Sequence, residues 1–182
     1  MQEPTEGSEL SDDDVAIWDE LWATVYTDHY ACLYQEATAE FLVSRWRLLD
    51  TVGRFLTAAT ASGSSVAAWA IWASSGKGEA SWAIIAGLAA VFALIHMSLG
   101  ISDRIKEDTL IFSTFQQLRL DLEILQKKMR LRQHETLAAY LTDYMDITSK
   151  FGKAYALKRP DFFLTRRREE KIQADVNKRL GL

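Results

Sequence analysis

The sequence predicts an all-α integral membrane protein: a two-helix transmembrane hairpin between a long amphipathic N-terminal helix and a cytoplasmic C-terminal helical bundle or coiled coil. Three observations carry this expectation. Charges bracket two long gaps, with 22 residues between Arg54 and Lys77 and 23 between Glu79 and Asp103. A tight, turn-forming stretch, Ser75-Gly76-Lys77-Gly78-Glu79, separates them. Beyond the second gap, apolar residues recur at coiled-coil spacing.

Four regions follow: an acidic tail (1–11), an amphipathic helix (12–54), a hairpin of two spans (55–102, with spans 55–76 and 80–102) and a basic helical extension (103–182). The tail, MQEPTEGSELS, is polar and is expected to be disordered. Ser11 with Asp12, Asp13 and Asp14 reads as a helix start, a capping residue followed by acids that complement the helix dipole. No Pro or Gly interrupts the chain from there to Asp50. Trp18, Leu21, Trp22, Val25, Cys32 and Leu33 give this helix an apolar face. At Gly53 it either breaks or runs on into the first span.

Each gap makes a helix of roughly 33–35 Å, enough for a ~30 Å hydrocarbon core. A water-exposed helix of that length carries charges on its wet face. The other reading is a helical hairpin buried in a larger assembly. The first span, FLTAATASGSSVAAWAIWASSG, is rich in small and hydroxylated residues. Thr57, Thr60, Ser64 and Ala68 share one face and are candidates for lining a pore. The competing reading is close helix packing, with the hydroxyls bonded to the preceding turn. The second span, ASWAIIAGLAAVFALIHMSLGIS, holds His96 about 9 Å from its end. His96 and Asp103 share a face and are candidates for gating, though a histidine there equally suits a structural hydrogen bond. Trp69, Trp72 and Trp82 flank the turn as an aromatic belt would.

Lys and Arg near the span ends set the orientation. The hairpin turn holds Lys77, whereas Arg45, Arg47, Arg54, Arg104 and Lys106 lie at the other ends. Both termini are therefore expected in the cytoplasm. The N-terminus lacks a cleavable signal pattern. The lone Cys32 offers no disulfide framework.

Residues 1–54 carry 3 Lys/Arg and 12 Asp/Glu, a net of −9, and residues 103–182 carry 17 and 12, a net of +5. Ile111, Phe115, Leu118, Leu122, Leu125 and Met129 form an a/d seam over nearly three heptads. The charge asymmetry suits packing against the chain's own acidic helix, and pairing between subunits is equally open. A further helix is expected over Leu137–Leu157, ended by Arg159-Pro160. Phe162 and Phe163 lead to Arg166, Arg167, Arg168 and Lys171 and a last short helix. This basic run is a candidate for binding a phosphorylated ligand or an anionic leaflet, against the commoner reading of a solvated terminus.

The sequence contains no phosphate-binding glycine loop, CxxC, HExxH or GxSxG, and its three histidines have no ligand spacing. No catalytic residue, metal site or cofactor is expected, and the chain reads as a non-enzyme.

The run Arg45-Trp46-Arg47-Leu48-Leu49-Asp50 before a small-residue span, Ile101-Ser102-Asp103-Arg104 after the second span, and the long helix reaching Met129 resemble the SLATT family, two-span proteins of bacterial conflict systems. The resemblance covers roughly residues 12–158 and is architectural. It implies a multi-pass protein of the bacterial inner membrane, a homo-oligomeric channel with a tetramer favoured. Its opening would depolarise the infected cell in abortive antiphage defence. It also implies control by a nucleotide-type ligand or the nucleotidyltransferase-type partner that makes it. A non-conducting membrane-anchored scaffold that recruits a cytoplasmic partner is the alternative.

Overall fold

The computed structural model describes residues 12–63, 87, 91, 94, 99–131, 136–157 and 160–181. Four long helices account for nearly all of these, and no strand occurs among the described residues: α1 (Asp12–Gly63), α2 (Ile101–Leu131), α3 (Leu137–Ala156) and α4 (Arg166–Leu180). The acidic tail, the hairpin turn with its tryptophans, and Ser64, Ala68 and His96 lie outside the described residues. The predicted spans therefore fall largely outside them as well. Among the described residues no helix is long and apolar enough to cross a membrane.

Local chemistry explains the ends of these helices. Asp12, Asp13 and Asp14 occupy the first turn of α1, where the helix dipole favours negative charge. The helix passes through Gly53, which is buried, without a break. Of the two expectations at Gly53, continuation is the one observed. Gly100 precedes α2 with φ 56°, a left-handed conformation that disfavours a Cβ. Its carbonyl accepts from the amides of Asp103 and Arg104 at 2.9 and 3.1 Å. The second charge-free stretch, drawn to Ser102 from sequence, thus overlaps the start of α2. Lys128 and Arg130 close α2 at its negative end. The helix expected to reach Leu157 ends at Ala156, with Leu157 as its C-cap and Pro160 soon after. Thr165 precedes α4, its carbonyl accepting from the amides of Arg168 and Glu169. Gly181, at φ 74°, ends it.

The chain divides into two compact units, residues 1–38 with 111–182, and residues 39–110. The first is a helical bundle. Its core joins Leu21, Val25 and Cys32 of α1 to Phe115, Leu118, Leu122, Leu125 and Met129 of α2 and to Tyr140, Ile147, Phe151 and Ala154 of α3. Five of the six predicted seam residues are buried here, and Ile111 packs against them. The seam is therefore satisfied within the chain. Each large side chain buried this way contributes about 1.5–3 kcal/mol. Aromatic edges fix the packing: Trp18 meets Tyr140 at 5.1 Å and Phe115 meets Tyr155 at 5.5 Å, both edge-to-face. Tyr140 donates its hydroxyl to the backbone carbonyl of Lys128 at 3.2 Å, tying α3 to the end of α2.

In the second unit, Ala39, Leu42, Val43 and Trp46 form the buried stripe of α1. Arg45 lies over the Phe41 ring at 5.2 Å, and Arg54 pairs with Asp50 at 2.9 Å. Leu48, Val52 and Phe55, by contrast, are exposed.

Candidate functional site

The polar groups of the bundle converge where α1, α2 and α3 meet. On α1 the apolar stripe Leu21–Val25–Cys32 is interrupted by His29, itself buried. The ring Nε2 of His29 lies 3.4 Å from Oε1 of Glu123 on α2. Arg119, one turn before Glu123, donates to it and also to Glu36 of α1 at 2.7 Å. One guanidinium thus holds two carboxylates from two helices, the geometry for which its planar fork is suited. On the α3 side, Tyr144 donates its hydroxyl to Asp28 of α1 at 2.6 Å.

These contacts set the titration of their members. Burial alone would raise the Glu123 carboxyl, but hydrogen bonds from Arg119 and His29 outweigh it and hold the group below its usual range. Burial, reinforced by Asp28 and Glu36, pushes the Cys32 thiol up to about 12, which disfavours the thiolate near neutral pH. Burial and then the bond to Asp28 raise the Tyr144 phenol. No group of three or more His, Cys, Asp or Glu among the described residues is placed to hold a metal ion. Chemically the network is an ion-pair lock between the acidic helix and the basic extension.

Beside it, between α2 and α3, lies an open groove of about 220 Å³. Ile124, Leu125 and Ile147 supply its apolar lining, and Asp121, Asp143, Asp146, Lys128 and Lys150 its charges. Lys128 pairs with Asp143 at 2.8 Å, and Lys150 pairs with Asp146 at 2.8 Å and Asp121 at 3.5 Å.

Among the described residues, the ligand and gating candidates singled out from sequence are not gathered into this site. Arg166, Arg167, Arg168 and Lys171 are exposed on α4, and Arg166 reaches Glu170 at 3.4 Å. Three arginines in a first turn oppose the helix dipole, so their presence does not serve helix stability. Asp103 is exposed on the first turn of α2 and bonds Lys106 at 3.2 Å. Thr57 is exposed on α1 and donates its hydroxyl to the Gly53 carbonyl at 2.8 Å, the backbone-bonded arrangement weighed against pore lining. Thr60 lies on the α1 backbone. Sequence reasoning missed Asp28, Glu36, Arg119, Glu123 and Tyr144, and saw His29 only as an isolated histidine. The 119/123 pair at helical spacing was the one local signal for them. Comparison with protein-family models, characterised proteins and solved structures gives no match.

Proposed function

We propose that this chain is a two-span protein of the bacterial inner membrane, with both termini cytoplasmic, that assembles as a homo-oligomeric pore-forming effector of antiphage defence. The observation that carries the membrane reading is the exposure of large apolar side chains in and just before the two charge-free stretches. Phe55 is 71 % exposed and Leu94 65 %, with Val52, Val91 and Leu99 also open. Large apolar side chains left open in this way mark surface that something other than water covers, and for consecutive charge-free stretches of spanning length that cover is lipid. The bundle then acts as the control element. α1 carries both the lock residues and the start of the first stretch on one uninterrupted helix, and α2 begins where the second stretch ends. Opening would follow when a nucleotide-type ligand, or a nucleotidyltransferase-type partner, shifts the bundle. The resemblance to SLATT proteins supports this reading, and the chain is read as a non-enzyme.

The scaffold alternative is favoured by the Thr57 hydroxyl, which bonds backbone. One experiment separates the two: conductance of the purified full chain in planar bilayers, beside Thr60→Leu/Ser64→Leu. Discrete current steps on adding ribonucleoside triphosphates or cyclic dinucleotides, absent in the double variant, are expected of the pore. Silence from inserted wild-type protein even with ribonucleoside triphosphates and cyclic dinucleotides added on the side of the bundle, with partner capture unchanged in the variant, would favour the scaffold.

A further inference from the structure

In the second unit, the large apolar side chains that the described part of α1 leaves open all fall on one side of the helix. They are Leu48, Val52 and Phe55, at 54 %, 41 % and 71 % exposure. Their i, i+4, i+7 spacing stacks them in one row, roughly opposite the buried Leu42, Trp46 and Gly53. Towards the N-terminus the same row continues through Arg45 to Phe41, and there it closes: the Arg45 guanidinium lies over the Phe41 ring at 5.2 Å. The polar groups beside the row are already turned away from an apolar medium. Thr51 and Thr57 donate their hydroxyls to the carbonyls of Arg47 and Gly53 at 2.9 and 2.8 Å, so neither carries an unmet donor outward. Arg54 reaches back one turn to Asp50 at 2.9 Å, which draws its charge towards the N-terminal side. Arg47 is exposed and holds no ion pair among the described residues.

We propose that residues 45–55 of α1 lie in the headgroup layer of an anionic phospholipid leaflet, with Leu48, Val52 and Phe55 facing acyl chains and Arg45 and Arg47 holding lipid phosphates. The proposal rests on the membrane reading and adds a partner and a depth to it. The water boundary of the first span moves from Phe55 to the turn between Arg45 and Leu48. The order of groups along the helix selects the occupant. Cations come first, then an open apolar row, then a charge-free stretch beginning at Phe55. A phospholipid leaflet presents phosphates and then acyl chains in that same order. Leu48 to Phe55 rises about 10 Å, comparable to the depth at which interfacial helices bury their apolar face. Arg54, beside Phe55, fits this depth because its side chain points back towards the headgroups and is paired there.

The test uses the full chain in vesicles of phosphatidylethanolamine, phosphatidylglycerol and phosphatidylcholine. A fluorophore is attached at Leu48→Cys or Val52→Cys, at Leu94→Cys in the second charge-free stretch, or at exposed Met145→Cys on α3; native Cys32 is buried and stays. Labels at 48 and 52 are expected to be quenched by nitroxide-bearing lipid, and several-fold less than the label at 145 by aqueous iodide. Nitroxide on phosphatidylglycerol should quench the label at 48 roughly two- to five-fold more than nitroxide on phosphatidylcholine. Arg45→Gln/Arg47→Gln, with its helical circular dichroism retained, should abolish that preference. Labels at 48 and 52 open to iodide while the label at 94 is lipid-quenched would overturn the proposal and leave the membrane reading standing. Labels at 48 and 52 hidden from both quenchers would also overturn it and give the face to protein, a second copy included. Equal quenching by the two lipids in the arginine-bearing chain would overturn the phosphate assignment. A label at 94 open to iodide, with protein that does not float with the vesicles, would sink the membrane reading itself.

Discussion

Arg119 joins two glutamates that would otherwise face each other across the α1–α2 contact. Removing one member of a largely buried ion pair costs far more than the pair itself contributes, because the partners stay buried and charged. Arg119→Met is therefore expected to destabilise the bundle by about 2–3 kcal/mol in urea titration. Adding Glu36→Gln and Glu123→Gln should recover part of that loss. The lowered Glu123 carboxyl gives a sign for acid. Its folded value lies below the ordinary 4.5, so the stability it contributes is present above that pH and is lost as the pH falls through the folded value. The melting temperature should decline in that acid range, and Glu123→Gln should flatten this part of the profile. Cys32, with its thiol pushed up to about 12 and its side chain buried, should resist alkylation at pH 8 until the protein is unfolded. Mass spectrometry of iodoacetamide-treated native and denatured samples would read this directly.

Among elements, α2 is the sharpest case, since buried Leu122 and exposed Ile124 stand two residues apart on one helix. Leu122→Ala, in the buried seam, should cost about 3 kcal/mol, whereas Ile124→Ala, two residues on, should change folding stability by less than about 0.5 kcal/mol. Equilibrium denaturation of the two variants tests the assignment. The seam was legible in the sequence because a/d spacing is a local property of one helix. Its partner was not, because spacing says that a face will be covered but not by what. Leu21, Val25 and Tyr140 settle that question only once the chain is folded. The continuation of α1 through Gly53 was left open for a related reason. Glycine lowers helix propensity by only ~1 kcal/mol, and packing decides whether the helix tolerates it.

Across the whole molecule, the opposite charges of the two chain ends anticipated that they would meet, and Glu36–Arg119 is the direct expression of that asymmetry. Which residues meet was hidden. Glu36 and Arg119 stand 83 positions apart, His29 and Glu123 94, and Asp28 and Tyr144 116, so no local pattern could pair them. The candidate site was thus illegible although the bundle around it was not. The hold on α4 is slight by comparison. Among its described residues Val176 alone is buried, and Tyr30 donates one hydrogen bond to Asn177 at 2.8 Å. An element with so little buried apolar surface among its described residues opens more readily than the bundle core. In native-state hydrogen exchange the amides of α4 should become deuterated well before those flanking Leu122. Tyr30→Phe should quicken them roughly five-fold, the equivalent of one ordinary hydrogen bond, and leave α2 unchanged. Early exchange there would make α4 a detachable flap, and whatever captured its open state would draw on conformers that the protein already visits.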